Sequence, residues 1–200
     1  MTKSENISVV SHRVAMDVRR RRFGHAGGVV WLTGLSASGK STLAMGLEEM
    51  LLELGYACYA IDGDNVRQGL SANLGFSPED RVENMRRVGE VAALFADAGL
   101  ICITALISPF RQDRSQARHA AQRTSFHEIF VAADIATCET RDPKGLYRKA
   151  RAGRLPGFTG INAPYEAPDE PELLIESGKE SVEVSLSKLV AYVVAEFPIG

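Results

Sequence analysis

The sequence predicts an α/β fold in which helices flank a parallel β-sheet. Three observations predict it. From Val29 onward, short apolar β-branched runs alternate with segments of helical periodicity. A glycine-rich loop joins the first such run to the first such helix. An insertion rich in Gly, Pro and basic residues, about 141–168, separates the fourth run from the fifth. Two hundred residues suffice for one domain over 29–200 with a sizeable core, preceded by a polar, basic arm over 1–28.

The elements follow in order. "VVWLT", Val29 to Thr33, reads as a buried strand. The helix after the loop carries Leu43, Leu47, Met50, Leu51 and Leu54 at helical spacing. "YACYAI", Tyr56 to Ile61, is the second strand. In "SPEDRVENMRRVGEVAALFADAG", Ser77 is placed as N-cap, Pro78 as first residue and Asp80 at the capping-box position. Val82, Met85, Val88, Ala92 and Phe95 form the expected buried stripe of that helix, and Gly99 ends it. "LICITALI" (Leu100 to Ile107), "HEIFVA" (His127 to Ala132) and "ELLIES" (Glu172 to Ser177) are the remaining strands. The last helix sets Val182, Leu186, Leu189, Val190 and Val193 on one face.

"GLSASGKST" fits the phosphate-binding spacing GxxxxGK[ST], with strand before and helix after as that motif requires. This makes the sheet that of a P-loop protein, an architecture that P-loop kinases share with other families, and assigns Gly34, Leu35, Ser36, Ala37, Ser38, Gly39, Lys40, Ser41 and Thr42 to ATP. The loop's N–H groups and the helix N-terminus favour phosphate oxygens. Lys40 is placed to reach the β- and γ-phosphates, and the Ser41 hydroxyl to ligate Mg²⁺. In the 141–168 insertion, Arg141, Lys144, Arg148, Lys149, Arg151 and Arg154 read as a mobile basic lid that brings positive charge onto the transferring phosphate and excludes water, against the plainer reading of an exposed basic helix and loop.

A net charge of −2 and a pI of about 6.1 give no global pull toward nucleic acid or an anionic membrane. The run Arg19–Arg22 reads as a solvated arm, or else as an interface or an anion contact. No stretch approaches a transmembrane span, and "MTKSENISVV" lacks the apolar core of a signal peptide, so a cytoplasmic location is expected. Cys58, Cys102 and Cys138, odd in number and without CxxC spacing, are expected to be buried free thiols. The four histidines form no metal-like cluster in sequence.

The acceptor must be read further along. Asp62 and Asp64 in "IDGDNVRQGL" follow the second strand, at the end of the sheet where ligands bind. One carboxylate can hold Mg²⁺ and the other accept a proton from an attacking hydroxyl; the alternative is a turn serving backbone geometry. Arg67 and Arg81 suit an anionic group and Asn84 a hydrogen-bonding edge, while Phe76 is either core or a base platform.

Taken together, "GLSASGKST", "DGDNVR", "LGFSPEDRVENMRRVGEVAALFADAGLI", "ISPFRQDR", "RDPKGLY" and "FTGINAPYE" resemble the adenylylsulfate kinase (APS kinase) family, in order over about 29–175; "NISVVSHRV" is similar to its N-terminal segment. The resemblance implies transfer of phosphate from Mg·ATP to adenosine 5′-phosphosulfate (APS), giving ADP and 3′-phosphoadenosine 5′-phosphosulfate (PAPS). It implies that Lys40, Asp62, Asp64 and Ser108 serve catalysis and that Ser41 and Asp62 face the metal. APS would be bound by Asp62, Asp64, Arg67, Arg81, Asn84, Ile107, Ser108, Pro109 and Lys144, with Phe76 and Phe158 on the two faces of its adenine. Ser108 is the position associated with a phosphoserine intermediate; direct in-line transfer is favoured here, because a bound hydroxyl and Mg·ATP suffice. The resemblance further implies a homodimer working with a separate ATP sulfurylase. Pro156, Asn162 and Gln68 depart from the Lys, Asp and His common in the family. The competing readings are a P-loop kinase for another hydroxyl acceptor and an ATP-binding regulatory module without turnover; a GTPase is disfavoured by the lack of an NKxD motif.

Overall fold

The computed structural model describes residue 8 and residues 10–200, so Asn6, Ile7 and Val9 of "NISVVSHRV" lie outside the described residues. The sheet has order β2-β3-β1-β4-β5 with every pairing parallel: β1 Gly28–Thr33, β2 Cys58–Asp62, β3 Ile101–Ala105, β4 Ser125–Val131 and β5 Leu173–Ile175. The predicted α/β class and five strands are borne out, with ends displaced by at most two residues. β1 lies at the centre and is buried at all six positions, which is why it reads as an unbroken apolar run. β3 stops at Ala105, two residues short of its predicted end, because the chain turns at Ser108, where φ is +39°.

Two layers of helices cover the sheet. On one face, α2 (Lys40–Glu53) and α8 (Val182–Glu196) bring Leu43, Leu47, Leu51, Leu189 and Val193 onto Val30, Leu32, Ile101, Ile103 and Ile129. On the other, α4 (Pro78–Asp97) brings Met85, Val88 and Ala92, and α5 (Arg111–Ala120) brings Ala117, onto Val29, Trp31, Cys102 and Phe126. Each fully buried Val, Leu or Ile among them contributes about 1.5–3 kcal/mol. The α4 start is as expected: Ser77 Oγ accepts from Asp80 N–H and Pro78 opens the helix. The Asp80 carboxylate, however, reaches back to Gly75 N–H at 2.8 Å rather than closing a box on Ser77.

Several expected core positions are corrected. Met50 (37% exposed) and Leu54 (51%) lie off the buried side of α2, and Leu54 is already its C-cap. On α4 the buried stripe runs through Asn84, Met85, Val88, Gly89, Ala92 and Ala96, because α4 must also meet α5, where Gly89 touches Ala117; Val82 turns outward and Phe95 is half-buried. On α8, Val182 is exposed one residue after the Ser181 N-cap, and Ser185 is buried. The three cysteines are free and buried, as expected.

Helices that apolar periodicity does not reveal complete the chain: α1 (Met16–Phe23) within the arm, α3 (Gly63–Gln68), α6 (Ile135–Arg141) and α7 (Leu146–Arg151). Arg19–Arg22 occupy the last turns of α1, which buries no residue of its own. The Phe23 ring nevertheless packs on Gly99, and Gly24 O accepts from Gly200 N–H at 2.9 Å, fastening α1 to the end of the sheet opposite the phosphate loop. No described helix is long and apolar enough to cross a membrane.

Candidate active site

The loops at the carboxyl ends of β1, β2 and β3 meet in one place, and each predicted site residue can be located from there. The phosphate loop leaves β1 at Gly34, where a Cβ would stand 2.5 Å from Val131 O, so only glycine fits. It enters α2 at Gly39 (φ +104°), a left-handed residue at the helix N-cap. The first backbone bond of α2 runs from Leu43 N–H to Gly39 O, which leaves the preceding N–H groups of Lys40, Ser41 and Thr42 at the open helix end. The loop's carbonyls are tied off from behind. Leu35 O accepts from Lys40 Nζ (2.6 Å), Ser36 O from the Tyr147 hydroxyl (3.0 Å), and Ser38 O from Ser177 Oγ (2.6 Å) and Arg141 Nη1 (3.3 Å). Ala37, with φ +61°, has its carbonyl facing the same Arg141 at 3.4 Å. With its carbonyls held this way, the loop leaves its N–H face to an anion.

Lys40 is 7% exposed, and burial lowers its pKa to about 8, with nearby groups including Asp62 pulling the other way. Ser41 Oγ donates to Asp62 Oδ2 at 2.6 Å, joining the phosphate loop to the end of β2. Asp62 Oδ1 accepts from Asp64 N–H at 2.9 Å and so caps α3. Asp64 Oδ2 is ion-paired with Lys144, whose pKa this partner raises. A hydroxyl and a carboxylate side by side at a phosphate loop are hard oxygen donors, the set that suits Mg²⁺ when phosphates and water complete its shell.

On the acceptor side, Asn84 is 2% exposed and its Oδ1 has no hydrogen-bond partner among the described residues. Arg67 stacks on the Phe76 ring at 4.4 Å and donates to Gly75 O. Burial, and after it the neighbouring Arg81, lowers the Arg67 pKa. Phe76 is 70% exposed and Phe158 only 7%, the latter set edge-on to Tyr147 at 5.0 Å. The two phenylalanines are linked through Arg81, which donates to Phe76 O (3.0 Å), Gly157 O (2.7 Å) and Thr159 Oγ1 (3.1 Å). Within 141–168, α7 and the loop after it pack Tyr147, Ala150 and Phe158 against Leu35 and Cys138. Asn162, one of the departures, accepts from Phe158 N–H at 2.5 Å, a bond that aspartate would also make. Pro156 is exposed.

Ser108 is 1% exposed; its Oγ accepts from Trp31 Nε1 at 3.1 Å and lies 3.4 Å from Leu106 O. Ile107 O accepts from Thr33 Oγ1 at 2.8 Å, and Pro109 O from Glu166 N–H at 2.8 Å. Thr33, Tyr147, Tyr165 and Ser177, which support these loops, were not foreseen; "RDPKGLY" contains Tyr147, but nothing in its spacing marks the hydroxyl as a phosphate-loop ligand.

Residues 26–176 match the family model described as adenylylsulphate kinase. The adenylyl-sulfate kinase of Staphylococcus carnosus (strain TM300) is 50% identical over 192 residues, covering 96% of either chain. That of Geotalea uraniireducens (strain Rf4) is 55% identical over 172 residues, covering 86% of this chain and 83% of its own. Among solved structures, the Mycobacterium tuberculosis APS kinase CysC in complex with AMPPNP and APS superposes with a TM-score of 0.81 at 45% identity, over 84% of this chain and 98% of that one. A matching family model over most of the length, close relatives over nearly all of it and a phosphate loop facing two aspartates lead to one conclusion: the chain belongs to the adenylylsulfate kinase family, and it is a nucleotide-binding phosphotransferase.

Proposed function

We propose that the chain transfers the γ-phosphate of Mg·ATP to the 3′-hydroxyl of APS, forming PAPS and ADP. The observation that carries this reading is the Ser41–Asp62 contact, which sets the phosphate loop 2.6 Å from the acidic "DGDN" turn. The complex of the M. tuberculosis relative with an ATP analogue and APS supports the choice of ligands.

In this reading Ser41 and Asp62 hold Mg²⁺, which when bound supplies charge neutralisation between the phosphates. Asp62 takes that part because its Oδ2 already accepts the hydrogen bond of Ser41 Oγ; Asp64, two residues on in the same turn, accepts the proton of the 3′-hydroxyl. Lys144 leaves Asp64 for the transferring phosphate as the segment over 141–168 closes as a lid. Lys40 leaves Leu35 O for the β- and γ-phosphates. Arg67 and Arg81 receive the phosphosulfate, and the unpaired Asn84 Oδ1 accepts a hydrogen bond from the bound acceptor, removing the cost of a buried orphan oxygen. Ile107 and Pro109 line the acceptor. Phe76 and Phe158 take the adenine between them. Phosphate passes directly to the acceptor: the buried Ser108 hydroxyl is engaged by Trp31, which favours a shaping part over a nucleophilic one. The assignment extends to a cytoplasmic homodimer supplied with APS by a separate ATP sulfurylase. Incubation with Mg·ATP and APS, followed by chromatographic detection of PAPS, tests the reading. ADP formed without PAPS, or PAPS absent while a sugar or another nucleotide is phosphorylated, refutes it.

A further inference from the structure

Ser108 holds a backbone conformation that serine rarely adopts, and such a conformation persists only where surrounding contacts impose it. The contacts come from Arg114 of α5, a residue 2% exposed. Its Nη1 donates to Ser108 O at 2.6 Å, its Nη2 to Glu166 O at 2.8 Å, and its Nε to Glu128 Oε1 at 2.5 Å. One rigid guanidinium fork thus addresses three separate pieces of chain: the acceptor loop, the stretch returning from the 141–168 segment to β5, and β4 of the sheet. The returning stretch is bound to the acceptor loop at further points. Glu166 N–H donates to Pro109 O, Glu166 Oε2 accepts from Arg111 N–H at the start of α5, and the Tyr165 hydroxyl lies 3.0 Å from Thr33 Oγ1, which itself donates to Ile107 O.

Stability alone does not account for this pair. A buried ion pair loses much of its Coulombic gain to desolvation, and well-packed apolar residues often replace one at no loss. What apolar residues cannot do is hold the carbonyls of two separate loops against a carboxylate of the sheet. Lysine cannot either, since it lacks the planar fork. We propose that the Arg114–Glu128 pair is a positioning element for the acceptor: it sets Ile107–Pro109 and Tyr165–Glu166 in one register, so that acceptor binding and closure of the lid are mechanically one step. This rests on the reading of APS as acceptor.

The test uses the full chain and its single tryptophan, Trp31, which is bonded to Ser108. Arg114→Lys is expected to raise KM for APS by about 10- to 100-fold while KM for ATP moves by no more than about twofold. It is also expected to raise ATP hydrolysis in the absence of acceptor and to shift Trp31 emission. Glu128→Gln keeps the size and an acceptor oxygen but not the charge; the same split, smaller, is expected, and this variant carries the test where Arg114→Lys does not fold. Tyr192→Phe, which removes a hydroxyl bonded to His127 on the α8 side of the sheet, is the control for plain destabilisation and is expected to show no split. Equal changes for both substrates, matching those of Tyr192→Phe at the same loss of melting temperature, overturn the proposal. So does an unchanged KM for APS in a folded variant of the pair. Failure of the unaltered chain to form PAPS refutes the acceptor reading and this proposal with it, whereas PAPS formation without the split refutes the positioning role alone.

Discussion

Lys40 has a charge that the free protein holds at a cost. Its ammonium is buried against Leu35 O and Ser38 Oγ, and desolvation brings its pKa to about 8. Bound phosphates reverse that balance by favouring the ammonium. Binding of Mg·ATP at about pH 8.5 is therefore expected to take up a proton, visible as a binding heat that depends on the buffer's ionisation enthalpy, and Lys40→Met is expected to abolish the dependence. The same depressed pKa has a signed effect on stability. Between the folded pKa near 8 and the unfolded value near 10.5 the unfolded chain binds the extra proton, so this group makes the free protein more stable as pH rises through that window. Lys40→Ala is expected to reduce turnover by ~10²-fold or more while leaving the fold intact, because charge on the transferring phosphate loses its stabilisation. Ser108 gives a prediction of the opposite kind. In Ser108→Ala the buried Trp31 N–H loses its acceptor, which costs about 1–3 kcal/mol of stability. Direct transfer predicts that activity nonetheless stays above about 1% of the unaltered chain, the size of effect a lost positioning contact produces. Stoichiometric labelling of Ser108 by γ-labelled ATP, chased into PAPS at a competent rate, is the result that contradicts it.

At the scale of elements, the turn into α4 and the loop after α7 each present one phenylalanine, in unlike settings. Phe76 is 70% exposed beneath Arg67, so Phe76→Ala is expected to leave the melting temperature nearly unchanged. Stacking on a base is worth roughly 1–3 kcal/mol, so APS affinity is expected to fall by about 5- to 150-fold with ATP affinity in the absence of APS unaltered. Phe158 is packed with Tyr147, Cys138 and Leu35, so Phe158→Ala is expected to weaken APS and also to lower stability by ~3–5 kcal/mol. Loss of stability in Phe76→Ala, or equal loss of both nucleotides, removes the ring from the acceptor. The contrast in setting was not legible in the sequence, where both rings stand beside glycines. What could be read was whatever local spacing determines: the glycine loop, the aspartates after β2, Asn84 on α4, and strands whose β-branched runs announce burial on both faces. α5 escaped because its only apolar residues are Ala117 and Ala120; it is held by Ala117 on Gly89 and by ionic contacts of Arg114 and Arg118. Arg114 reaches partners 6, 14 and 52 residues away, and no periodicity encodes such distances.

For the whole molecule, the sheet order separates two halves of the site. Loops after β2 and β3, on one side of β1, bear Asp62, Asp64 and Ile107–Pro109; chain following β4 and β5, on the other side, bears Arg141 and Ser177 behind the phosphate loop. The 141–168 segment is the chain that joins these halves. It starts at Arg141 on the phosphate-loop carbonyls, meets Asp64 through Lys144, crosses to Arg81 at Gly157 and Thr159, and returns by Glu166 to Pro109. Its contacts with the acceptor half are polar and partly exposed, and its middle carries left-handed glycines at 153, 157 and 160. In the proposed closure it is therefore the contacts with the acceptor half that open, while Tyr147, Ala150 and Phe158 stay packed on Leu35 and Cys138. Arg151 and Arg154 are exposed and followed by this glycine-rich stretch, so trypsin is expected to cut the free protein there before it cuts the core. In the proposed reading, ATP alone engages the half of the site around the phosphate loop, and APS alone the half around Asp62–Asn84 and Ile107–Pro109. If closure requires both, the two ligands together slow cleavage by more than the product of their separate effects, because only the doubly liganded protein populates the closed state. Non-hydrolysable ATP analogue and APS, added singly and together, give the four rates needed. Protection that is merely multiplicative means that the segment does not couple the halves, whatever its charge; a synergistic factor that disappears in Arg81→Ala at APS concentrations that saturate the variant means that the bonds to Gly157 and Thr159 transmit it.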